Sequence, residues 1–239
     1  GPYDGNNLAI CIKSLKAAKM LNKPCVIHFV TKKGKGYKLA EEDKIGIYHG
    51  VGPFDLKEGV HLSNAMTFSK AATDTLLNMR KDKEFYVITP AMIRGSELED
   101  FEKAYPSSLL DVGIAEELAA VVASSMVKEG RKCILMLYST FAQRAYDYLL
   151  NDIARSNIPV LMLIDRADIV PGDGETHQGI YDVSMFSAMP NVEIYQPRNG
   201  DELNALINYS YNKQNPIVIR YNKGKTALTN HKVDLTNMT

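Results

Sequence analysis

The stretch Asp111-Val-Gly-Ile-Ala-Glu116, together with the helical pattern that follows it, decides the fold. Apolar residues lie on every side of the predicted helix: Ile114, Ala115, Leu118, Ala119, Ala120, Val121, Val122, Ala123 and Met126. A helix that is apolar all round is typical of a protein interior. We therefore expect this helix to be buried, and a carboxylate on it to need a partner.

Two acidic residues, Glu116 and Glu117, begin this helix. Two interpretations are open for whichever of them faces inward. The simpler one is a structural network, in which an arginine or a backbone donor satisfies the carboxylate. The functional one is a carboxyl group in an apolar pocket that keeps a proton and shares it with a ligand nitrogen.

Helices and short apolar runs alternate on both sides of this stretch. We predict strands at 85–89, 109–112, 133–138, 160–165, 192–195 and 216–221, and helices at 68–79, 116–126, 140–156 and 201–212. Strands separated by helices of this length make a parallel sheet flanked by helices, an α/β fold. In such sheets ligands bind at the carboxyl ends of the strands.

The first 66 residues follow a less regular pattern. Residues 7–21 predict an amphipathic helix, and residues 25–30 a short buried strand. The basic, glycine-rich loop at residues 32–36 could hold phosphate, but it lacks the Walker spacing, and a solvated turn is the simpler interpretation. His49 lies between glycine-rich turns, where most histidines carry out no chemistry. Residues 55–66 show little periodicity and are typical of a linker.

The composition excludes several classes of protein. Lys and Arg number 28, as do Asp and Glu, so neither nucleic acid nor a membrane surface is expected as the main partner. We find no apolar run of transmembrane length and no signal peptide. The isolated Cys11, Cys25 and Cys133 predict core thiols in a reducing compartment rather than a metal site. The first residue is not Met and the last ten form a mostly polar, strand-poor tail, so we expect a fragment.

Polar and aromatic side chains follow the predicted strands at their carboxyl ends. They are Tyr138, Phe141, Arg144, Asp165, Arg166, Asp173, His177 and Arg220. Arg166 and Arg220 could form structural ion pairs, or could converge on an anion such as a phosphate. Aromatic faces, arginines, an Asp, a His and a buried Glu at one edge favour a site over separate structural roles.

Several motifs match one family in its own order. They are Gly1-Pro-Tyr-Asp-Gly5, Thr31-Lys-Lys-Gly-Lys-Gly-Tyr37, Tyr48-His-Gly-Val-Gly-Pro-Phe-Asp55, Ile88-Thr-Pro-Ala-Met92, Asp111-Val-Gly-Ile-Ala-Glu116, Tyr138-Ser-Thr-Phe-Ala-Gln-Arg-Ala-Tyr-Asp147, Asp165-Arg-Ala167 and Asp173-Gly-Glu-Thr-His-Gln-Gly179. With them, the sequence resembles the 1-deoxy-D-xylulose-5-phosphate synthase family, thiamine-diphosphate-dependent transferases related to transketolase. The resemblance spans nearly the whole chain.

The resemblance implies a domain organisation. Residues 1–54 would be the carboxyl-terminal end of a diphosphate-binding domain, 55–66 a linker, 67–222 the pyrimidine-binding transketolase-type domain, and 223–239 a linker towards a missing carboxyl-terminal domain. Gly172-Asp173-Gly174, with Asn199, resembles the family's metal motif. The neighbouring Thr-His-Gln-Gly179 places that loop in the pyrimidine-binding domain instead. We therefore predict no metal ligand here, with the Mg²⁺ and diphosphate ligands in the missing part and the fragment inactive alone.

The resemblance also implies residue roles. Glu116 corresponds to the glutamate that hydrogen-bonds N1′ of the aminopyrimidine, and His49 and His177 to the histidines that flank the substrate and serve proton transfer. The remaining cofactor-binding residues would be Phe141, which stacks on the pyrimidine, Ile114 and Lys33. The substrate-binding residues would be Tyr138 and Arg144 in the pocket wall, Asp173 on the hydroxyl groups of the acceptor, and Arg166 and Arg220 on its phosphate.

The reaction implied is the decarboxylative condensation of pyruvate with D-glyceraldehyde 3-phosphate, which feeds isoprenoid and thiamine biosynthesis. The family also implies a homodimer in the bacterial cytoplasm or a plastid-type organelle. Two departures touch or adjoin the cofactor and phosphate regions and bear on the choice of acceptor: Glu117-Leu118 replaces Gln-His, and Asn222-Lys223 replaces Pro-Arg. Alternatives are therefore a transketolase-like or 2-oxo acid dehydrogenase-type enzyme with another acceptor, and a catalytically silent dimerisation module.

Overall fold

The computed structural model describes residues 1–61, 63, 65–229 and 231–235. The chain forms two compact units, Gly1–Asn64 and Ala65–Thr239. The boundary lies within residues 55–66, the first predicted linker, of which residues 62 and 64 lie outside the described residues. In the second predicted linker, 223–239, residues 230 and 236–239 also lie outside them. The four-part domain assignment stays a prediction.

The first unit contains short elements around one helix. The elements are β1 (Tyr3–Asp4), α1 (Leu8–Met20), β2 (Phe29–Val30), α2 (Lys38–Glu41) and a 3₁₀ turn (Ile47–His49). The side chain of Asn7 accepts a hydrogen bond from the backbone N–H of Ile10 and so caps α1. The predicted helix at 7–21 is confirmed, and β1 pairs with β2 in parallel.

The prediction of a buried strand at residues 25–30 is wrong. Only Phe29 and Val30 are paired as a strand, and Cys25 and Val26 are exposed. The two-residue strand β1 is too short to pair with the whole run, and α1 contributes no buried residue to cover it. The prediction of three core thiols is likewise confirmed only for Cys133, since Cys11 is half-buried. Burial raises the pKa of the Cys133 thiol to about 12.

The second unit is built on a six-stranded, wholly parallel sheet. Its strands lie in the order β4-β3-β5-β6-β8-β7. They are β3 (Tyr86–Thr89), β4 (Leu109–Asp111), β5 (Cys133–Tyr138), β6 (Leu161–Ala167), β7 (Glu193–Tyr195) and β8 (Ile217–Asn222). All residues of β5 are buried, as expected of a central parallel strand.

Helices cover both faces of this sheet. They are α3 (Phe68–Arg80), α4 (Glu99–Ala104), α5 (Glu116–Lys128), α6 (Ser139–Ala142), α7 (Tyr146–Tyr148), α8 (Asp182–Ser187) and α9 (Gly200–Ser210). One apolar cluster includes Leu76 and Leu203 from α3 and α9, and the other includes Ala119 and Leu149 on the opposite face. The parallel sheet flanked by helices is therefore confirmed. Among the described residues, no helix is long and apolar enough to cross a membrane.

The single helix predicted at residues 140–156 is wrong in its continuity. The chain forms α6, a 3₁₀ turn at Gln143–Ala145, α7 and a π turn at Leu149–Ala154. Ala142, Ala145, Leu149 and Ile153 are fully buried at spacings of three or four residues. The changes between α, 3₁₀ and π turns keep these four residues packed against the sheet. π turns are frequent at functional sites.

The prediction that α5 is buried on all sides is also wrong. Its alanines, Ala119, Ala120 and Ala123, pack against the sheet and are fully buried. By contrast Leu118 is 49% exposed, and Ile114 just before the helix is 74% exposed. Small residues let one face of α5 approach the strands closely, and the larger apolar residues on its other face have no cover within this unit.

Candidate active site

The loop before α5 is fixed by Asp111, the first residue of the motif. Its Oδ1 accepts hydrogen bonds from the backbone N–H of Ala91 at 2.7 Å and of Gly113 at 2.9 Å. The carboxylate thereby ties the loop after β3 to the loop after β4. Gly113 has φ +74°, a left-handed conformation that glycine adopts without steric cost. This turn delivers Glu116 to the start of α5.

Glu116 is the acid that faces inward. Its side chain is 2% exposed, and Oε2 has no hydrogen-bond partner among the described residues. The guanidinium of Arg144 comes within 3.3 Å of Oε2, without hydrogen-bond geometry, and is itself half exposed. The positive end of α5 favours a carboxylate at this position. A buried acceptor without a hydrogen bond is costly, so the site can accept a donor from a ligand.

A stack of aromatic rings lies at the end of β5. The rings of Tyr138 and Phe141 stack with centroids 5.4 Å apart and planes 16° apart. His177 meets Phe141 edge-on, at 5.5 Å and 81°. The hydroxyl of Thr140 donates to the backbone carbonyl of Thr176 at 3.0 Å, which holds the histidine loop over α6. Three predicted site residues are thus brought together.

Tyr138 is closely packed at its hydroxyl end. A Cβ added at Gly95 would lie 1.8 Å from Tyr138 Oη, so only glycine fits there. Burial raises the pKa of the Tyr138 phenol well above its ordinary value, although Arg166 opposes the shift. The ring therefore presents a neutral wall to the site.

Arg166, Asp173 and Lys223 form a charged cluster beside this wall. Arg166 Nη1 lies 3.1 Å from one oxygen of Asp173, and Lys223 Nζ lies 2.8 Å from the other. The Arg166 guanidinium also lies 4.1 Å from the centroid of the Tyr138 ring, a cation–π contact. Burial opposes ionisation of Asp173, but the two cations prevail and hold its pKa below the ordinary value.

Arg220 is bound within the protein. It is 4% exposed. Its guanidinium donates to Asp182 at 2.8 and 3.1 Å, to Asp168 at 2.7 Å, and to the side-chain carbonyl of Gln196. These contacts are the structural ion pairs that the sequence analysis left open as one alternative. A role of Arg220 in binding phosphate stays a prediction, as do the other residue roles.

Lys33 and His49 lie together in the first unit. The Lys33 ammonium is 2.7 Å from His49 Nδ1. An ammonium can only donate, so Nδ1 accepts and the proton of the ring lies on Nε2. Among the described residues, no group of three or more His, Cys, Asp or Glu side chains could hold a metal ion.

Two polar residues of the site escaped the sequence analysis. Asp165 was named only as a strand end, and it is fully buried beneath the site. Ser69, in α3, donates a hydrogen bond to Asp165 at 2.7 Å. A polar residue at the end of an apolar strand was the available signal for Asp165. No local signal marks Ser69.

The chain is similar to several known proteins. The family description "Transketolase, pyrimidine binding domain" matches residues 64–228. The chain is 44% identical over 226 residues to a 1-deoxy-D-xylulose-5-phosphate synthase of Clostridium kluyveri, covering 94% of this chain and 36% of that protein. It is 43% identical over 232 residues to the same-named protein of Clostridium tetani, covering 95% and 37%. The chain thus spans a little over a third of these relatives' length.

Solved structures agree on the fold. A transketolase from Campylobacter jejuni superposes with a TM-score of 0.62 at 18% identity, covering 73% of this chain and 29% of that one. A split-gene transketolase, described as an inactive β4 tetramer, gives 0.59 at 22% identity, covering 67% and 53%. At identities this low, the structural similarity supports the fold alone. Together with the family match over residues 64–228, they show that the chain belongs to the transketolase pyrimidine-binding domain family.

Proposed function

We propose that this chain supplies the pyrimidine-binding part of a 1-deoxy-D-xylulose-5-phosphate synthase. The observation that carries the proposal is the buried Glu116 Oε2, which has no hydrogen-bond partner among the described residues, in a chain that is 43–44% identical to relatives of that name. The reaction proposed is the decarboxylative condensation of pyruvate with D-glyceraldehyde 3-phosphate. It would place the protein in isoprenoid and thiamine biosynthesis.

The residues present fit the aminopyrimidine of thiamine diphosphate. Glu116 offers a buried carboxylate oxygen to a ring nitrogen, and Phe141 offers a partly exposed aromatic face for stacking. When bound, thiamine diphosphate supplies the carbanion chemistry that removes carbon dioxide from a 2-oxo acid. Glu116 would hold the shared proton at N1′, and its burial would exclude water from that bond. Ile114 and Lys33 complete the proposed cofactor contacts.

The remaining site residues serve the two substrates in this proposal. His177, fixed against Phe141, would hold and move protons at the substrate oxygens, and His49 would steady them by a hydrogen bond from Nε2. Arg166 would bind the phosphate of the acceptor, aided by Arg220, and Asp173 its hydroxyl groups. Tyr138 and Arg144 would line the pocket between cofactor and acceptor.

We propose further that the active protein is a homodimer that uses Mg²⁺. The apolar residues Leu110, Ile114 and Leu118, four positions apart from β4 into α5, are all exposed, and a partner subunit could cover them. The Mg²⁺ ligands would lie outside this chain. The relatives named above are bacterial, which supports the bacterial cytoplasm over a plastid-type organelle.

The test uses the full-length gene product with thiamine diphosphate, Mg²⁺, pyruvate and glyceraldehyde 3-phosphate. Mass spectrometry follows the sugar phosphate, and carbon dioxide is measured in parallel. We expect deoxyxylulose phosphate from the parent, almost none from Glu116→Gln, and near-parental amounts from the matched control Glu117→Gln. No deoxyxylulose phosphate from a parent that binds the cofactor would reject the synthase assignment.

One observation favours a second candidate. Lys223, which replaces the family's usual arginine, forms an ion pair with one carboxylate oxygen of Asp173, the proposed hydroxyl-binding residue. A transketolase-like enzyme with a different acceptor would fit this change. Replacing glyceraldehyde 3-phosphate by other aldehydes in the same assay distinguishes the two. A silent dimerisation module would show no thermal stabilisation by thiamine diphosphate and Mg²⁺.

A further inference from the structure

Strand β6 contains one extra residue where it reaches the site. Its pairing with β8 passes from Ile164↔Arg220 to Ala167↔Asn222, three steps on β6 against two on β8. The extra residue forms a β-bulge, and Arg166 within it has φ +58°, in the left-handed region. An arginine rarely adopts this conformation unless its surroundings impose it. Bulges beside active sites commonly re-aim a side chain.

Asp165 holds the bulge from inside the protein. It is 0% exposed, and its Oδ1 accepts a hydrogen bond from the backbone N–H of Arg166 at 2.7 Å. Its Oδ2 accepts from the hydroxyl of Ser69 at 2.7 Å, which anchors the carboxylate to α3. Asp165 is also the register partner of Tyr138 across β5 and β6. The carboxyl group thus connects the strained residue to the helix layer.

Gly179 closes the bulge from the other side. Its backbone exchanges two hydrogen bonds with Asp168, each of 2.8 Å. A Cβ at Gly179 would lie 2.2 Å from the carbonyl oxygen of Arg166. The bulge is therefore clamped between the carboxylate of Asp165 and a closely packed glycine.

The clamped backbone determines where the Arg166 side chain points. Its guanidinium lies over Tyr138, 4.1 Å from the ring centroid, and Nη1 contacts Asp173 at 3.1 Å. With ordinary strand geometry at this residue, the side chain would leave the sheet in another direction. The distances place one cation between the aromatic wall and the proposed hydroxyl-binding carboxylate.

We propose that Asp165 is a positioning residue, which holds Arg166 in its left-handed conformation so that the guanidinium meets the anionic end of the acceptor. The placement of Arg166 is independent of the reaction, whereas its use for the acceptor rests on the proposed function. Asp165 touches neither substrate nor cofactor in this scheme. The two parts are therefore tested by different measurements.

The first measurement is the Nε–H resonance of Arg166 in the full-length gene product labelled with ¹⁵N-arginine, assigned by its loss in Arg166→Lys. The ring of Tyr138 should shift this proton upfield. We expect Asp165→Asn, which can still accept from the Arg166 N–H, to keep the shift. Asp165→Leu, which cannot, should move the resonance to the position of exposed arginines. An unchanged resonance in a folded Asp165→Leu protein would overturn the proposal.

Gly179→Ala disturbs the same bulge without removing the carboxylate, and serves if Asp165→Leu does not fold. Its methyl group presses on the Arg166 carbonyl, so we expect the same loss of the ring shift. Glu202→Gln is the control, since it removes another buried carboxylate, which lies in α9 and pairs with Arg198. A ring shift that survives in Gly179→Ala, with the backbone of β6 unmoved, counts against the clamp.

The second measurement is steady-state kinetics on the same variants. We expect Asp165→Leu to raise KM for glyceraldehyde 3-phosphate roughly tenfold or more, with KM for pyruvate changed less than threefold. Asp165→Asn should restore the parental acceptor KM. Equal increases in both KM values would show a general structural role and reject positioning for the acceptor. If the parent forms no deoxyxylulose phosphate, the proposed function fails, while the resonance still decides the placement of Arg166.

Discussion

Glu116 and Asp165 are two carboxylates at the same edge of the sheet, and both are almost completely buried. Asp165 has a donor on each oxygen, from Arg166 and from Ser69. Within the part of the chain that the structure describes, Glu116 Oε2 has no hydrogen-bond partner, and the guanidinium near it is poorly aligned. Burial alone therefore does not distinguish a structural acid from a functional one. The distinction lies in whether the protein itself supplies the donors.

The largest expected effect concerns Glu116. In the full-length gene product, Glu116→Gln should lower the rate of product formation roughly 10²- to 10⁴-fold, the usual contribution of a positioned proton-transfer group. The Tm should change little or rise, since the substitution removes a buried negative charge that the protein does not satisfy with hydrogen bonds. Differential scanning calorimetry measures the Tm of the parent and of the variant. A marked fall in Tm would show that Glu116 is held by protein donors after all, and the contrast with Asp165 would disappear.

The next effect is the pH dependence produced by Asp165. Burial raises its pKa to about 6, against 3.8 for the ordinary group. Between these values the folded protein binds the proton more strongly than the unfolded chain, so the free energy of unfolding falls as pH rises. The loss is complete above pH 6 and is about 3 kcal/mol in size. Urea unfolding from pH 4 to 7 should show this slope in the parent.

Asp165→Asn supplies the comparison for that experiment. The amide keeps an acceptor for Arg166 but does not titrate in this range, so the variant should lack the slope. Its stability relative to the parent should therefore improve as pH rises from 4 to 7. Parallel curves for the two proteins would mean that Asp165 titrates with its ordinary pKa and that its burial does not favour the neutral acid.

A smaller effect is expected at Gly95, which packs against Tyr138, the register partner of Asp165. Gly95→Ala would place a methyl carbon 1.8 Å from Tyr138 Oη, and we expect a loss of about 1–3 kcal/mol in the free energy of unfolding. Gly174→Ala is the matched control, because its φ is −71° and nothing lies within 4 Å of the added carbon. Equal losses in the free energy of unfolding of the two variants would show that Tyr138 is not held rigidly against Gly95.

The smallest effect separates the two interpretations of Glu116. Arg144→Gln removes a cation that lies 3.3 Å from its carboxylate, but this arginine is half exposed and makes no hydrogen bond to it. We therefore expect less than about 1 kcal/mol of change in stability, as for other exposed ion pairs. Chemical denaturation of both proteins measures it. A loss of several kcal/mol would instead make Arg144 the structural partner that the simpler interpretation requires.

The sequence predicts the sheet well and the surface poorly. The strand predicted at residues 133–138 is confirmed to the residue at Cys133–Tyr138, because a continuous apolar run is a strong signal for a central parallel strand. The exposure of Leu118 was not foreseen, because periodicity reports which residues are apolar and not what covers them. The broken helix at residues 139–154 was missed for a related reason, since α, 3₁₀ and π turns share similar apolar spacings.

The candidate site was predictable to the same uneven degree. Glu116 and Glu117 stand out as acids in an apolar helix, so local sequence predicted one inward carboxylate, and the family resemblance pointed to Glu116. The Ser69–Asp165 bond joins residues 96 positions apart and has no local signature. The bulge at Arg166 depends on pairing with a strand more than 50 residues later. Long-range register of this kind is set by tertiary packing, which one sequence does not reveal.

The contact between Lys33 and His49 limits the chemistry that is available to the His49 ring. With Nδ1 occupied by the ammonium, the neutral ring presents only its Nε2–H outward. In that state it resembles an electrophile more than a base: it can polarise a carbonyl or steady a developing oxyanion by a hydrogen bond, and it has no free lone pair with which to abstract a proton. Lys33→Met would free Nδ1 and allow both tautomers, so ¹⁵N spectra of the imidazole should change from one protonated nitrogen to an average of two.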